Sequence, residues 1–483
     1  MARRRAEPSI LLGPILYFRG EQRDRWWLSA LFVLDGEVEP EDLRVDGVTL
    51  PVPPRHLTQW RRRHVWRFDF AVPRGMQDTD VTYGFPDGPS WSIVVPGRFS
   101  RPRLAFVCGG GTIGTGAEPG LWGDLLARHA TDRHHLLLHG GGQIDGDAVM
   151  AESPQFVAWR RQSGRARATQ LFSPAMAEEL IDAGFERYLR QWAQADTAQT
   201  LASIPSVMMW DDADIATGWG RLPEAEAASK VMRGVLMAAR RNASLFQMGA
   251  LAESPPDCAW GAARGTASQG FHIGETGLLT LDARGERTRS RILSDASWAQ
   301  LPDWLDRFQD CRHLILMTGT PLLFPATAGL ERLASWLPGM AGRARSLGDQ
   351  WRSRDHAAEW ERLIGTLTDF SRRTGCRVTA LSGGAGFAGR SVLRGGGVEL
   401  WQLLGPPLTA TPPAGWLAQA MERLAARREQ PLPGHGLDTP AFAETGRRTI
   451  AKRGWTALAF DGKGQLHARW TAEKDETRYA QAI

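Results

Sequence analysis

The sequence of 483 residues predicts an α/β protein with a small β-sandwich at its N-terminus. Two patterns support this prediction. Up to residue 98, short apolar runs are separated by turns of Gly, Pro and Asp, which is typical of antiparallel strands. Beyond residue 98, apolar strands alternate with longer amphipathic segments, which indicates sheets covered by helices. We therefore assign residues 1–98 to a sandwich domain and residues 99–483 to an α/β domain.

The first part contains three clear strand patterns, at Leu28–Leu34, Val65–Phe70 and Trp91–Val95. Val65–Phe70 alternates apolar and polar residues, as a half-buried strand does. Several tryptophans lie in or beside these strands, and we interpret them as the core of the sandwich. A carbohydrate-binding aromatic face is the alternative. These residues are Trp26, Trp27, Trp60, Trp66 and Trp91.

The second part alternates between strands and helices. The predicted strands are Leu104–Cys108, Leu136–His139, Ser206–Trp210, His313–Thr318, Val378–Ser382 and Val398–Leu403. The predicted helices are Ala175–Ala193, Ala225–Gln247 and Asp355–Arg373. Residues 405–440 are rich in Pro and Gly, so we expect loop and short helix there. Residues 455–470 read as a β-hairpin around Asp461–Gly464.

Composition excludes several classes of partner. The net charge of +5 comes from 58 basic and 53 acidic residues, which is too small an excess over this length for a nucleic-acid footprint. No apolar stretch approaches the length of a membrane span, so we expect no membrane partner. The four cysteines have no CxxC spacing and are typical of reduced thiols in a cytoplasmic protein.

The N-terminus resembles the start of a signal peptide in one respect. Arg3–Arg5 precede an apolar run at Ile10–Phe18. However, Gly13–Pro14 interrupt the run, Arg19 closes it, and no small-residue cleavage site follows. We therefore expect a cytoplasmic location.

Several predicted strands end in turns of Gly and acidic residues. These turns are Gly109–Gly111, Gly140–Asp147, Asp211–Asp214 and Gly383–Gly386. In α/β folds, ligands bind outside the carboxyl ends of the strands. The turns therefore predict where a site would lie, although each of them alone could be an ordinary turn.

Together, and in this order, the turns resemble the PhoD-like (alkaline phosphatase D) metallophosphatase family. Trp210–Asp214 is similar to the family segment Trp-Asp-Asp-His-Asp/Glu, and Gly141–Asp147 to Gly-Asp-Gln-Ile/Leu-Tyr-x-Asp. Val107–Gly110 resembles Ser-Cys-Asn-Gly, and Ser382–Gly386 resembles Ser-Gly-Asp-Val-His. Ala410–Pro413 lines up with a late His-Pro-Pro segment.

The resemblance covers roughly residues 100–470 and includes a segment that begins at Asp349. It implies a two-sheet core flanked by helices. It also implies a phosphoric ester hydrolase that uses two or more divalent or trivalent metal ions.

The departures from the family pattern fall on its metal and catalytic positions. The family pattern has Asn at 109, Asp at 142, Tyr at 145, His at 213, Asp at 384, and His at 386 and 410. This chain has Gly109, Gly142, Asp145, Ala213, Gly384, Gly386 and Ala410. Position 142 would carry the carboxylate that bridges two metals, and position 213 a histidine for the phosphate or leaving oxygen. We therefore expect no intact catalytic group and no metal cofactor.

A few potential ligands remain. By motif register, Cys108, Asp145, Asp147, Asp211 and Asp212 are vestigial metal positions, and such a carboxylate cluster could still bind Ca²⁺ or Mg²⁺ weakly. In the alternative interpretation, Asp211 and Asp214 cap a turn or a helix, and Cys108 is a small core residue. The sequence leaves both interpretations open.

The histidines offer no replacement site, because none has metal-ligand spacing to another. We interpret them as core or surface residues: His134, His135, His139, His272 and His313.

Two hypotheses for function follow. The first is an inactive pseudo-phosphatase, in which the scaffold serves binding or structure. The second is a metal-dependent phosphomonoesterase or phosphodiesterase acting on a small phosphate ester through a site rebuilt around Asp145, Asp147 and Asp212. The sequence does not identify a substrate, a protein partner or an oligomeric state.

Overall fold

The computed structural model describes residues 9–36, 39–111, 120–261, 266–325, 349–475 and 479–483. The first strands are β1 (Ser9–Gln22), β2 (Arg25–Asp35), β3 (Arg44–Val45), β4 (Val48–Thr49), β5 (Arg55–Trp60), β6 (Arg63–Pro73), β7 (Thr79–Gly84) and β8 (Ser90–Val95). They are followed by β9 (Arg103–Val107), β10 (Leu136–Gly140), β11 (Ser206–Met209), β12 (Ala259–Trp260), β13 (Ser268–Ile273), β14 (Thr276–Leu281), β15 (His313–Thr318) and β16 (Arg377–Ser382). The last strands are β17 (Ala388–Gly395), β18 (Val398–Leu404), β19 (Glu429–Leu432), β20 (His435–Asp438), β21 (Thr449–Ile450), β22 (Gly454–Phe460), β23 (Leu466–Ala472) and β24 (Tyr479–Ala482).

The helices of the described residues lie between these strands. They are α1 (Gly120–Asp132), α2 (Gly146–Ala151), α3 (Pro154–Arg160), α4 (Gly164–Thr169), α5 (Pro174–Trp192), α6 (Ala195–Ser203), α7 (Glu224–Ala227), α8 (Lys230–Met248), α9 (Asp295–Asp306), α10 (Ala357–Thr374) and α11 (Gly415–Ala425). The predicted helix at Ala225–Gln247 is in fact two helices, because Ser229 caps a new N-terminus by accepting a hydrogen bond from the N–H of Met232 at 3.1 Å.

Two large sheets pack face to face. The first has the order β24-β23-β22-β9-β10-β11-β1-β2-β6-β5, in which β9, β10 and β11 are parallel. The second has the order β12-β13-β14-β15-β16-β18-β17-β20-β19, with β21 beside β17, and β14, β15, β16 and β18 are parallel. Apolar side chains from both sheets, such as Phe106 and Met317, share one core. Parallel strands buried on both faces explain the nearly continuous apolar runs of the sequence.

Helices cover the outer faces of both sheets. Residues of α1, α5 and α8 pack with β9, β10 and β11 in one apolar cluster, and α9 and α10 pack with β14, β15 and β16 in another. The predicted α/β fold, with a two-sheet core flanked by helices, is therefore confirmed.

The N-terminal region is built from two facing sheets. The strands β1, β2, β5 and β6 face a small sheet of the order β4-β3-β7-β8, and residues such as Phe32 and Tyr83 fill the space between them. However, β1 also pairs in parallel with β11, with Tyr17 opposite Ser206, so the first large sheet crosses the predicted boundary at residues 98–99. The division into domains 1–98 and 99–483 stays a prediction.

The structure places the N-terminal apolar run in a strand and corrects one prediction about the tryptophans. The apolar run at Ile10–Phe18 lies inside strand β1, where a register shift between Leu12 and Ile15 accommodates Pro14. Arg3–Arg5 lie outside the described residues. Of the predicted core tryptophans, Trp26 is buried but Trp27 is 41% exposed, because successive residues of β2 point to opposite faces.

The remaining tryptophans lie at the edges of cores. Trp66 and Trp91 are half-buried against the sandwich core. Trp60 instead packs with the cluster beneath α5 and donates a hydrogen bond from Nε1 to Asp182 at 2.9 Å.

Residues 405–440 contain more regular structure than predicted. Besides the expected short helix, α11, the hairpin β19–β20 pairs along the edge of the second sheet. Pro431 lies in β19, the outermost strand of that sheet, where a missing N–H costs no ladder hydrogen bond. Among the described residues, no helix has the length and apolar character needed to cross a membrane.

Candidate functional site

The turns predicted from the sequence meet at the carboxyl ends of the central strands. Gly109 follows β9, Gly142 follows β10, and Ala213 follows β11. A Cβ atom built on Gly142 would lie 3.1 Å from Cα of Gly109 and 3.8 Å from Cβ of Ala213. Ala410 lies next to these residues, because its N–H donates a hydrogen bond to the carbonyl oxygen of Gly109 at 3.2 Å. The fold thus brings four of the substituted family positions together.

The turn after β16 forms the other side of the same region. A Cβ atom on Gly384 would lie 3.1 Å from Oδ2 of Asp211 and 2.5 Å from the carbonyl oxygen of Gly319. Gly383 lies against Cys108, and Gly386 lies beside Pro413, which follows Ala410 in the chain. The two large sheets therefore face each other across these turns.

Four of the glycines adopt a left-handed backbone. The φ angles of Gly109, Gly142, Gly384 and Gly386 are +59°, +70°, +72° and +72°. Besides glycine, this conformation is tolerated best by Asn, Asp and His, which are the residue types that the family pattern has at these positions. The φ angles of these turns are therefore compatible with the ligand-bearing residue types that the chain lacks there.

Two arginines that the sequence analysis missed pair with the acids of the region. Arg284 follows β14, and its Nε donates to Oδ1 of Asp211 at 2.6 Å. Its Nη2 lies 3.6 Å from Oδ1 of Asp212, and its Nη1 donates to Asp349. Arg287 donates from Nε to the other oxygen of Asp349 at 2.5 Å. We call these five residues, three carboxylates and two guanidinium groups, the charge network.

Burial makes the members of the charge network depend on each other. Burial raises the pKa of Asp211 to about 7, against the opposing attraction of Arg284. Burial alone would lower the pKa of Arg284, but Asp211, Asp349 and Asp212 raise it above its ordinary value, so the guanidinium group stays charged. For Asp349, the two arginines outweigh burial and lower the pKa. Arg284 is thus a fixed cation beside the predicted metal positions.

Asp214 has a structural role. Its carboxylate accepts hydrogen bonds from the N–H groups of Gly142 at 2.7 Å, Gln143 at 2.8 Å and Asp211 at 2.8 Å. Burial raises its pKa to about 6, although these donors oppose the rise. Asp214 therefore ties the turn after β10 to the turn after β11, as the capping interpretation expected.

The other predicted ligands are engaged elsewhere. Asp145 caps α2 by accepting from the N–H of Ala148 at 3.0 Å, and Asp147 is exposed on the first turn of α2. Asp212 accepts from the N–H of Gly218 at 2.7 Å. The thiol of Cys108 donates to the carbonyl oxygen of Pro406 at 3.3 Å, and burial raises its pKa to about 12, so it is not a thiolate.

These residues do not fit a dinuclear metal centre. In the part of the chain that the structure describes, no three His, Cys, Asp or Glu side chains are grouped so that they could hold a metal ion. The turns offer glycine and alanine where ligands would stand, and Asp211 already has a guanidinium counter-ion. A second cation at Asp211 would have to compete with Arg284 at close range.

The histidines of the interior are not part of this region's chemistry. Burial lowers the pKa of His134 and His139 to about 3 and that of His313 to about 4, so all three are neutral. His139 pairs with the hydroxyl of Ser206 at 3.3 Å, within the first sheet. The interpretation of these three as core histidines agrees with their burial.

The sequence resembles those of known proteins. The family model described as PhoD related phosphatase matches residues 112–345. An uncharacterized protein of Saccharomyces cerevisiae, YGR266W, is 23% identical over an alignment of 412 residues, which covers 71% of this chain and 59% of the yeast protein. The chain therefore spans less than two thirds of the length of that relative.

Solved structures share the fold. A structure of PhoD matches all of this chain and 90% of its own length, with a TM-score of 0.59 and 13% identity. The purple acid phosphatase PPD1 from yellow lupin matches 99% of this chain and 74% of its own length, with a TM-score of 0.53 and 10% identity. At these identities the likeness concerns the fold alone.

Proposed function

Because the chain belongs to the PhoD-like phosphatase family, we propose that it is a member without hydrolytic activity, whose scaffold serves binding or structure. The observation that carries this proposal is the ion pair of Arg284 with Asp211 at the carboxyl ends of the central strands. The family's chemistry needs metal ions that polarise a phosphate and generate a hydroxide nucleophile. A guanidinium group can neutralise a carboxylate, but it cannot supply that hydroxide.

The substituted turns support the same proposal. Glycine at 142, 384 and 386 and alanine at 213 and 410 remove both the ligands and the proton donors that the family pattern places there. The turns are nevertheless held in place, because Asp214 and the N–H groups of the neighbouring turn hold them by hydrogen bonds. We propose that the protein needs no resident metal and acts in the cytoplasm.

The competing hypothesis is a metal-dependent esterase built on Asp145, Asp147 and Asp212. Two of these carboxylates have other roles, since Asp145 caps α2 and Asp212 accepts from Gly218. Asp147 is exposed on α2. The contacts of these residues give the competing hypothesis no support, and an activity assay separates the two.

The purified chain is expected to hydrolyse neither para-nitrophenyl phosphate nor bis(para-nitrophenyl) phosphate above the rate in buffer. This should hold with added Ca²⁺, Mg²⁺, Mn²⁺, Zn²⁺ or Fe³⁺, because the turns hold no donor set for a metal-bound hydroxide. The measurement is the release of para-nitrophenolate over hours, with the heat-denatured chain as the blank.

A rate that EDTA abolishes would contradict the proposal. The variant Asp212→Asn would then show whether the competing site is responsible. Loss of that rate in the variant would assign the activity to the cluster of Asp145, Asp147 and Asp212.

A further inference from the structure

The exposed face of α8 differs in charge from the rest of the surface. The helix runs from Lys230 to Met248 and contains no acidic residue, although the whole chain is nearly balanced in charge. Lys230, Arg233 and Arg241 are exposed, and so is Met237, with 68% of its surface accessible. The spacing 230, 233, 237 and 241 places these side chains on one side of the helix.

A second apolar side chain lies beside this face. The ring of Phe172 packs directly on Gly234, at the place where a side chain on Gly234 would stand. Leu171, the neighbour of Phe172 in the chain, is 62% exposed. Met237 is one helical turn from Gly234, so the chain segment that contains Leu171 packs beside the part of α8 that carries Met237. We call the exposed residues Leu171, Lys230, Arg233, Met237 and Arg241 the α8 face.

Two acids near the α8 face, one at each end, are engaged with other cations. At the N-terminal end, Glu226 pairs with Arg167 at 3.7 Å. At the other end, Asp182 pairs with Arg61 at 2.9 Å and accepts from Trp60, over whose ring Arg241 lies at 5.5 Å. Among the described residues, neither Lys230 nor Arg233 has an acidic side chain within ion-pair distance. The positive charge of the face is therefore available to an external anion.

We propose that the α8 face binds the surface of an anionic lipid bilayer. The cations would contact lipid phosphate and carboxylate groups, while Leu171 and Met237 would enter the boundary between headgroups and acyl chains. The charge of the face is complementary to such a surface. This mode of attachment needs no membrane-spanning segment, and a local patch of charge is compatible with the small net charge of the chain.

Two other occupants fit the α8 face less well. Specific recognition of a nucleic acid uses stacking aromatic or hydrogen-bonding side chains between the cations, and this face has aliphatic side chains there. A second copy of the chain, related by a two-fold axis, would bring the same cations together. The inference does not depend on whether the chain hydrolyses phosphate esters.

Co-sedimentation of the full chain with vesicles tests this proposal. Vesicles of phosphatidylcholine with about 30% phosphatidylserine are expected to bind the chain, and vesicles of phosphatidylcholine alone are expected to bind it at least tenfold more weakly. Binding should fall again when the salt concentration is raised to about 0.5 M, because salt screens the attraction.

Two pairs of variants separate the α8 face from net charge. Lys230→Glu with Arg233→Glu is expected to weaken vesicle binding about tenfold or more. The matched control, Arg427→Glu with Arg428→Glu, makes the same charge change at exposed positions before β19 and should weaken binding less than about threefold. Leu171→Ser with Met237→Ser should weaken binding in low and high salt alike, since it removes the apolar contact.

Three results would overturn the proposal: no preference for the anionic vesicles, equal losses in the α8 pair and the control pair, or tighter binding of a DNA duplex that the α8 pair abolishes. The last result would assign the face to nucleic acid. Because the substituted side chains are exposed, the thermal midpoint of each variant should match that of the parent chain, which keeps a loss of binding interpretable.

Discussion

Replacing Arg284 by methionine is expected to lower the free energy of unfolding by about 3–5 kcal/mol. The substitution keeps most of the side-chain volume but leaves Asp211 buried without its counter-ion and leaves Asp349 with Arg287 alone. The measurement is equilibrium unfolding in urea at neutral pH, read by tryptophan fluorescence.

The loss of unfolding free energy in the Arg284→Met variant should also depend on pH. Without Arg284, the folded-state pKa of Asp211 should rise further above its unfolded value, so folding would favour the protonated acid. The contribution of Asp211 to stability is fully present below its unfolded pKa near 4 and is lost as the pH rises through its folded pKa. In the parent chain Arg284 holds this folded pKa to about 7. In the parent chain this loss ends near pH 7, whereas in the variant it continues to higher pH, so the variant should lose further stability relative to the parent as the pH rises above about 7.

The control for this substitution is Arg394→Met. Arg394 pairs with Glu399 at 2.7 Å, but both side chains are about half exposed, so the expected loss is less than about 1 kcal/mol. A double variant, Arg284→Met with Asp211→Asn, should recover part of the loss, because it removes the unpaired charge. Equal losses for Arg284→Met and Arg394→Met would show that the charge network does not exist as described.

Alanine at position 384 is expected to destabilise the chain by about 1–3 kcal/mol more than alanine at position 386. Both glycines have a φ angle of +72°, so both variants bear the same cost of about 1–2 kcal/mol for a left-handed side chain. The difference comes from space, because Cβ at 384 would lie 2.5 Å from the carbonyl oxygen of Gly319, whereas the nearest atom to Cβ at 386, in Pro413, would lie 3.4 Å away.

This pair of variants also tests whether the turn after β16 has room for the aspartate of the family pattern. If the turn after β16 could still take the aspartate of the family pattern, position 384 would have room for a side chain. Comparison of the two unfolding free energies in urea gives the answer directly. Equal values for Gly384→Ala and Gly386→Ala would mean that the turn relaxes readily and that the close approach to Gly319 is not a constraint.

The sequence predicted the central strands and the turns that follow them because local patterns encode both. Buried parallel strands appear as apolar runs such as His313–Thr318, and the glycine turns that follow them mark the carboxyl ends. The order of the turns was enough to indicate the family, and the fold brings Gly109, Gly142, Ala213 and Ala410 into contact.

The charge network could not be predicted, because its partners are distant in sequence. Arg284 lies 73 residues from Asp211, and Arg287 lies 62 residues from Asp349. In a chain rich in arginine, nothing in the segment from Arg284 to Arg287 distinguishes it from a solvent-exposed loop. The sequence marked Asp349 only as part of a family-like segment. Tertiary packing alone shows which acids are neutralised.

The sequence also could not predict which strand faces are exposed or which strands pair across the predicted domain boundary. The exposure of Trp27 depends on which face of β2 meets the small sheet, and the pairing of Tyr17 with Ser206 joins strands that are far apart in the chain. Neither fact follows from composition or periodicity, because both depend on which strands become neighbours. The sequence therefore predicted elements better than it predicted their environments.

The metal content of the purified chain tests the central claim most directly. The chain would be produced in medium supplemented with Mn²⁺, Zn²⁺, Fe³⁺ and Ca²⁺, passed through a desalting column, and analysed for all four metals by mass spectrometry. We predict well below one metal ion per chain for every element, because Arg284 holds the place of a cation beside Asp211 and the turns lack ligands. Two tightly held metal ions per chain would contradict this account.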